Sequence, residues 1–361
     1  MSHLAPIELK DLGWDSSFAK AFESLGIPDV IPARIGIEHN HLYRVLTGKR
    51  ELLAETTGNL RHMASGPDTL PAVGDWVAIR LSDDSQAKIC AILPRRSCFS
   101  RKSASNPTNR QIVAANVDIV FLVSGLDRNF SPRRVERYLV AAAESGAKPV
   151  IVLNKTDLCD AVDDAVKAIR VITQSVPIHT TSSLEPHGLN KLAMYLAHGR
   201  TVAFLGSSGV GKSTIINFLL GSNRQETQSV RRRDQRGRHT TVHRELLVRS
   251  QGGVIIDTPG MRELQLWDSD HALETAFNDI DVFAQTCRFR DCQHQTEPGC
   301  AVRQAVLDGQ LTADRLSHYH QLHTERAALN DRREQLAQTT ELRKSKLSRP
   351  SNRATRQLPR E

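Results

Sequence analysis

Short hydrophobic segments separated by turn residues make up most of the first hundred residues. Five of them have the length and composition of strands, at 33–38, 42–47, 51–56, 75–80 and 88–93. No hydrophobic period of useful helical length lies between them. The pattern therefore predicts a small five-stranded β-barrel of the OB type over residues 33–100, after an N-terminal extension of residues 1–32.

The hydrophobic pattern changes from residue 117 onward. Nearly continuous apolar segments, typical of strands buried on both faces, lie at 117–125, 148–154, 176–181, 200–206 and 253–257. Helical segments alternate with them, and Ser131 and Pro132 mark the start of the first. The alternation predicts an α/β domain over 117–270 with a parallel sheet. The polar segment 101–116 before it is predicted to be a linker.

A phosphate-binding loop follows the strand at 200–206. Its sequence GSSGVGKS fits G-x-x-x-x-G-K-[ST], between a strand and the apolar helix at 214–220. Glycines let backbone N–H groups converge on phosphates, the lysine reaches the β and γ phosphates, and the serine hydroxyl suits Mg²⁺. A glycine-rich turn without a ligand is the structural alternative. The candidate nucleotide-binding residues are Gly206, Ser207, Ser208, Gly209, Val210, Gly211, Lys212, Ser213 and Thr214, of which Lys212 is also a catalytic candidate.

The motif NKTD at 154–157 indicates which base binds. The Asp157 carboxylate can accept both N–H donors of guanine, whereas adenine has an acceptor in place of the ring N–H. Alone, NKTD could be an ordinary turn, but with a phosphate loop it predicts GTP. The serines at 182–183, after the next strand, fit a backbone N–H that meets the guanine oxygen. The candidate base-binding residues are Asn154, Lys155, Thr156, Asp157, Ser182 and Ser183.

Two segments are candidate nucleotide-sensing switches. In DTPG (257–260), Asp257 can hold Mg²⁺ through water and the Gly260 N–H can meet the γ-phosphate. In the arginine-rich segment 223–242, Thr240 or Thr241 is a candidate Mg²⁺ ligand, and spacing does not choose between them. Met261 stands where many GTPases place a water-orienting glutamine, so slow intrinsic turnover is expected.

His239, also in the 223–242 segment, is the candidate catalytic residue because an imidazole can orient or deprotonate water once the loop closes. A histidine that is merely exposed in a loop is the alternative. We therefore expect a partner that orders this switch and so accelerates hydrolysis.

A cysteine cluster follows the switches. Cys287, Cys292, His294 and Cys300 form a C-x4-C-x-H-x5-C set, which suits one structural Zn²⁺ in a tetrahedral site without an open position. A redox role is the alternative. The cluster predicts a zinc-binding, mainly helical module over 271–340, followed by a basic tail at 341–361.

The motif order is unusual because NKTD precedes the phosphate loop, whereas small GTPases carry it after DxxG. The domain is therefore predicted to be a circularly permuted P-loop GTPase, with the barrel before it and the zinc module after it. This arrangement resembles the ribosome small-subunit-dependent GTPase A family, also called RsgA or YjeQ, over roughly 30–325. Its marks are NKTD, GSSGVGKST, GRHTT (237–241), DTPG and the zinc ligands, which match the family motif one by one.

The resemblance implies a GTPase that assists late maturation of the bacterial small (30S) ribosomal subunit, binds its rRNA and is stimulated by it. Other assembly factors are further candidate partners, and a monomer is expected. The alternatives are an RNA-binding scaffold that holds nucleotide only as a structural ligand, and a P-loop metabolic kinase. Phosphate release measured with and without subunits separates the first two, and NKTD has no place in kinase chemistry.

Charge and hydropathy refine this interpretation. The 361 residues carry a formal net charge of +8, and seven basic side chains against Glu361 give residues 342–361 six of those charges. This tail is either a solvated end or an arm for nucleic acid. Neither a transmembrane segment nor a secretory signal is apparent, so a cytoplasmic protein is expected, without a membrane partner.

Overall fold

The computed structural model describes residues 8–39, 41–102, 110–127, 130–182, 184–221, 244–257 and 276–347. The chain forms two units, Met1–Val282 and Phe283–Glu361. The strands are β1 (Ile31–His39), β2 (Leu42–Leu46), β3 (Glu51–Thr56), β4 (Trp76–Leu81), β5 (Gln86–Ile92), β6 (Cys98–Lys102), β7 (Arg110–Ala115), β8 (Ile119–Gly125), β9 (Lys148–Asn154), β10 (Ile178–Thr181), β11 (Thr201–Leu205), β12 (Glu245–Val248) and β13 (Val254–Asp257). The helices are α1 (Ser16–Glu23), α2 (Gly58–Met63), α3 (Pro132–Ser145), α4 (Val162–Ile172), α5 (Pro186–Ala193), α6 (Lys212–Leu220), α7 (Asn278–Ala284), α8 (Ala301–Leu307) and α9 (Ala313–Leu347).

The first five strands close into a barrel, as the sequence predicts. They are hydrogen-bonded in the order β1-β2-β3-β5-β4, and β4 pairs back onto β1. The β3–β5 pair is parallel and the other pairs are antiparallel. Residues alternate in and out along β3, where Leu52 and Ala54 are buried and Leu53 is exposed. The buried set, which includes Ile35, Val45 and Ile79, fills the barrel as one hydrophobic cluster.

The α/β domain is built on five parallel strands in the order β10-β9-β8-β11-β13. All seven residues of β8 and five of the seven in β9 are buried, as expected for strands covered by helices on both faces. Parallel strands end at the same edge of a sheet. This topology therefore brings the residues that follow β9, β10, β11 and β13 together at one edge.

The barrel and the α/β domain share one eleven-stranded sheet. The short strand β12, which the sequence pattern does not predict, runs antiparallel to β13 on one side and to β1 on the other. The two parts of the first unit are thus joined by a short strand pairing, in which Ile37 lies opposite Glu245.

The N-terminal extension is an integral part of this unit. α1 begins with Asp15 as N-cap, whose carboxylate accepts the Ser17 and Phe18 N–H groups. Phe18 is buried beside Trp76 of β4. Arg34 of β1 is also buried, and its guanidinium donates to the carbonyl oxygens of Leu12, Gly74 and Asn116. Burial lowers the pKa of Arg34 to about 10, so this group remains charged at pH 7.

Two sequence predictions need correction. The segment 101–116, predicted as a linker, contains the end of β6 and all of β7, which pair antiparallel. The hydrophobic pattern indicates this strand pair only weakly, because β6 is short and polar. Its partner β7 is more apolar and buries Ile112 and Val113. The basic tail predicted from residue 341 begins inside α9, which continues to Leu347. The predicted domain boundaries otherwise remain predictions.

The second unit is mainly helical within its described part, with α8 and α9 as its main elements. None of the helices in the described ranges combines the length and apolar character that a bilayer crossing needs.

Candidate functional site

The phosphate loop lies between β11 and α6, as predicted. Gly206 approaches β8 so closely that a Cβ would lie 2.4 Å from the carbonyl oxygen of Val123. Gly211 has φ of 100°, in the left-handed region, and ends the loop as N-cap of α6. The Lys212 Nζ donates to the carbonyl oxygens of Gly206 and Ser207, both at 2.6 Å. The lysine thus lies over the loop whose N–H groups and helix end suit phosphates.

Asn154 of the NKTD motif connects the base-binding motif to the phosphate loop. Its side chain is only 3% exposed. The Nδ2 atom donates to the carbonyl oxygen of Val210 at 2.8 Å, and Oδ1 accepts from the Thr181 hydroxyl at 3.0 Å. One amide therefore ties the ends of β9 and β10 to the loop after β11. Because the amide lies under Gly211, a Cβ there would be 2.2 Å from Nδ2.

Asp157 and Ser182 meet at the same edge of the sheet. Asp157 is exposed in the short 3-10 turn after β9, and its Oδ1 accepts from the Ser182 hydroxyl at 2.5 Å. Ser182 is buried, and its hydroxyl also accepts the Leu184 N–H at 3.1 Å. The contact fixes one carboxylate oxygen, and the other can face a guanine edge.

Asp127 is a further candidate site residue, which no motif in the sequence marks. Lys155 has a left-handed backbone (φ 66°), and its Nζ lies 2.7 Å from the Asp127 carboxylate. The two side chains are only 26% and 24% exposed. Asp127 comes two residues after β8, a position that could have identified it, since carboxylates at strand ends face the shared edge. The ion pair holds the lysine stem beside the NKTD turn.

We expect Asp127→Asn to weaken GDP and GTP binding about three- to tenfold, because Lys155 would lose the charged partner that orients its stem over the base. Fluorescent-nucleotide titration measures this change. Asp164→Asn is the matched control, because its carboxylate pairs with Lys167 at 3.1 Å on the exposed side of α4. Equal nucleotide affinities for Asp127→Asn and wild type would show that the pair has no role in binding.

A second missed contact involves Tyr138 of α3. Its hydroxyl lies 3.2 Å from the Ser207 hydroxyl, so α3 packs directly against the phosphate loop. A tyrosine within an amphipathic helix gives no motif signal, because its ring is equally expected in the core.

Asp257 and Ser213 are the described candidates for Mg²⁺. Asp257 ends β13, which lies parallel to β11, so it reaches the edge that bears the phosphate loop. Ser213 is in the first turn of α6. A carboxylate and a hydroxyl are hard oxygen donors, and Mg²⁺ prefers such donors together with phosphate oxygens. The donor set fits the ion. The candidates Ser183, His239, Thr240, Thr241 and Gly260 lie outside the described residues.

The second unit brings the four candidate metal ligands together. The Sγ atoms of Cys287, Cys292 and Cys300 and a ring nitrogen of His294 all lie within 4.8 Å of one another. Cys287 Sγ is 3.9 Å from Cys300 Sγ, and His294 Nδ1 is 3.6 and 3.5 Å from these two atoms. Tetrahedral ligands about 2.3 Å from zinc would be about 3.8 Å apart. The four residues therefore have the geometry of a closed metal site.

Neighbouring groups position these ligands. Cys300 is the N-cap of α8, where its Sγ accepts the Arg303 N–H at 3.5 Å, so the start of the helix fixes this sulfur in place. Burial lowers the pKa of His294, which keeps the ring in the neutral form that ligates metals. The Glu297 carboxylate accepts the N–H groups of Gln293, Gln295 and Thr296, and closes the loop between the second and fourth ligands.

Comparison with protein families gives two matches. A family model described as RsgA GTPase matches residues 92–267, and one described as ABC transporter matches 189–348. Both ranges include the phosphate loop, a motif found in many nucleotide-binding proteins. The NKTD motif lies only in the first range.

Relatives that cover most of the chain carry the first description. The small ribosomal subunit biogenesis GTPase RsgA of Opitutus terrae is 47% identical over 329 residues, covering 88% of this chain and 90% of that protein. The protein of the same name from Syntrophotalea carbinolica is 42% identical and covers 94% and 95%.

Among solved structures, YjeQ from Thermotoga maritima gives a TM-score of 0.62 at 26% identity, over 82% of this chain and 98% of that chain. YloQ, described as a circularly permuted GTPase, gives 0.60 at 26% identity, over 84% and 96%.

Proposed function

The chain belongs to the RsgA GTPase family, and from this membership we propose that it hydrolyses GTP as an assembly factor in late maturation of the bacterial small (30S) ribosomal subunit. It acts in the cytoplasm as a monomer, binds rRNA, and turns over slowly until the subunit stimulates it. The observation that carries the proposal is the Asn154 side chain, which joins a guanine-type motif to a phosphate loop in one site.

The described residues divide the binding of GTP between them. Asp157 selects guanine through its carboxylate, and Lys155 covers the base plane. The loop from Gly206 to Thr214 holds the phosphates, and Lys212 neutralises charge on the β and γ phosphates. Ser213 and Asp257, with Thr240 or Thr241, would hold Mg²⁺, which supplies further neutralisation when bound. Gly260 would contact the γ-phosphate through its N–H.

The proposed partner is a large polyanion. The net charge of +8 favours it, and the names of the relatives specify the small ribosomal subunit. The outer face of the barrel offers a mixed surface to RNA, with Arg44 beside the exposed Leu42 and Leu53. Other assembly factors are additional proposed partners. We assign the Cys₃His centre to one structural Zn²⁺.

Phosphate release from GTP, measured with and without small subunits, tests the proposal. We expect slow release by the protein alone and a severalfold increase with subunits that declines as salt rises, because phosphate contacts release counterions. Binding of GTP without any hydrolysis, in either condition, would support the scaffold alternative instead.

His239 is the proposed catalytic residue, and we expect His239→Ala to keep GTP and subunit binding but to lose most of the subunit-stimulated turnover. The reason is that an ordered imidazole would orient the attacking water, a task that the Met261 thioether cannot perform. Stimulated rates at matched salt, with nucleotide and subunit affinities of the variant as controls, measure the effect. Full stimulation in the variant would transfer the role to the ribosome or another residue.

A further inference from the structure

One row of directly paired residues crosses the junction between the barrel and the GTPase domain. Arg44 of β2 pairs with Ile37 of β1, Ile37 pairs with Glu245 of β12, and Glu245 pairs with Asp257 of β13. Directly paired residues of antiparallel strands project from the same face of a sheet, about 5 Å apart at Cβ. The row therefore leads from the outer surface of the barrel to the candidate Mg²⁺ carboxylate.

The charged members of this row interact across Ile37. Arg44 Nη2 lies 2.7 Å from Glu245 Oε1, and Nη1 lies 3.7 Å from Glu51 of β3. The side chains of Arg44 and Glu245 are 39% and 37% exposed, so a solute can reach the pair. Among the described residues, the Glu245 side chain thus contacts Arg44 on one side, and Asp257 is its backbone partner on the other side.

β12 carries Glu245 and lies next to both the barrel and the strand that ends at Asp257. In the sequence, the strand stands between the two switch motifs, GRHTT and DTPG. In the sheet, it stands between the barrel and the strand that carries Asp257. Like charges in directly paired positions repel each other, and a cation on one of them relieves the repulsion. Arg44 therefore sets how much of the Glu245 charge acts on Asp257.

We propose that Arg44 and Glu245 form an electrostatic relay, through which an anionic partner on the barrel alters Mg²⁺ and nucleotide binding at Asp257. A phosphate group that binds Arg44 competes with Glu245 for the guanidinium. The released carboxylate then adds negative potential beside Asp257, which strengthens cation binding there. Arg44 and Glu245 are positioning residues, which act through Asp257. The identity of the anionic partner rests on the proposed function. The relay itself does not depend on that identity.

A Mg²⁺ titration of the full-length protein with fluorescent GDP tests the relay without subunits and without turnover. Arg44→Ala should lower the half-saturating Mg²⁺ concentration about threefold, because Glu245 would lose its counter-charge. Glu245→Gln should raise it by a similar factor. In the double variant, the half-saturating Mg²⁺ concentration should equal that of Glu245→Gln alone, because Arg44 acts only through Glu245.

Lys88→Ala is the matched control. Lys88 pairs with Glu55 at 2.9 Å on the outer face of the same barrel, with 50% and 49% exposure, and its row does not lead to β12. This variant should have the same half-saturating Mg²⁺ concentration as the wild type. An equal Arg44→Ala effect with and without Glu245, or the same shift in Lys88→Ala, overturns the relay. Failure of the wild type to bind guanine nucleotide would instead overturn the proposed function.

A second measurement follows, because coupling between two binding sites acts equally in both directions. If barrel occupancy changes nucleotide binding, nucleotide state must change small-subunit affinity by the same factor. In wild type, we expect a GTP analogue and GDP to give different subunit affinities at fixed Mg²⁺. Glu245→Gln should reduce that difference at least twofold, and Lys88→Ala should preserve it. An unchanged difference in Glu245→Gln would remove Glu245 from the coupling.

Discussion

Asp157→Asn is expected to change the base preference of the protein from guanine to xanthine. In the proposed site, the carboxylate would accept from two guanine N–H groups, whereas an asparagine amide presents one oxygen and one NH₂ group. The NH₂ group faces the exocyclic amine of guanine unfavourably but can donate to the oxygen that xanthine carries at the same position. We expect GTP affinity to fall about 30- to 100-fold, as for a charged hydrogen bond lost with its partner left unpaired.

Competition titrations with GTP and xanthosine triphosphate measure both halves of this prediction. The Ser182 hydroxyl, 2.5 Å from Asp157 Oδ1, can still donate to an asparagine oxygen, so the turn should keep its shape. Asp160→Asn is the control, because this exposed carboxylate lies three residues further along the chain. Unchanged GTP affinity in Asp157→Asn would remove Asp157 from the base site.

Cys292→Ala is expected to release the metal and to unfold the loop that carries the four ligands. Three ligands remain, and a structural zinc site depends on all four because metal binding and local folding are one equilibrium. Zinc per chain, measured by elemental analysis after dialysis, should fall from one to well below one half. Proteolysis near 287–300 should accelerate at the same time.

Two controls define that result. Cys159→Ala removes a thiol of the first unit that is not among the four candidate ligands, and this variant should retain full zinc. GDP binding reports on the first unit, which holds the proposed nucleotide-binding residues, and should persist in Cys292→Ala. Full zinc content in Cys292→Ala would contradict the assignment of this residue as a ligand.

The family resemblance stated from the motifs is confirmed by relatives that cover most of the chain. The motifs succeed because each is a local sequence with a fixed chemical task, and the parallel strands carry NKTD and the phosphate loop to one edge. The cluster of three thiols and one imidazole was also predictable, because the four residues lie within fourteen positions of one another in the sequence. The barrel strands follow from alternation with clear turns between them.

Contacts between distant segments could not be predicted in this way. β12 has only four residues, and its identity as the strand between barrel and GTPase depends on pairing across some two hundred positions. Asp127 is a single carboxylate outside any motif, and only the adjacency of β8 and β9 brings it to Lys155. Register and neighbour order are decided by tertiary packing, for which a single sequence carries little local signal.

The shared sheet also limits how the chain can be divided. A fragment that begins at residue 117 would leave one edge of β12 without β1 and would lack β7, whose Ile112 and Val113 are buried in the intact protein. Such an edge is a template for pairing with another chain, and the loss of β7 would expose apolar surface beside it. The GTPase domain cut at the apparent domain boundary would be prone to aggregation. We therefore expect the barrel and the GTPase domain to require expression as one piece.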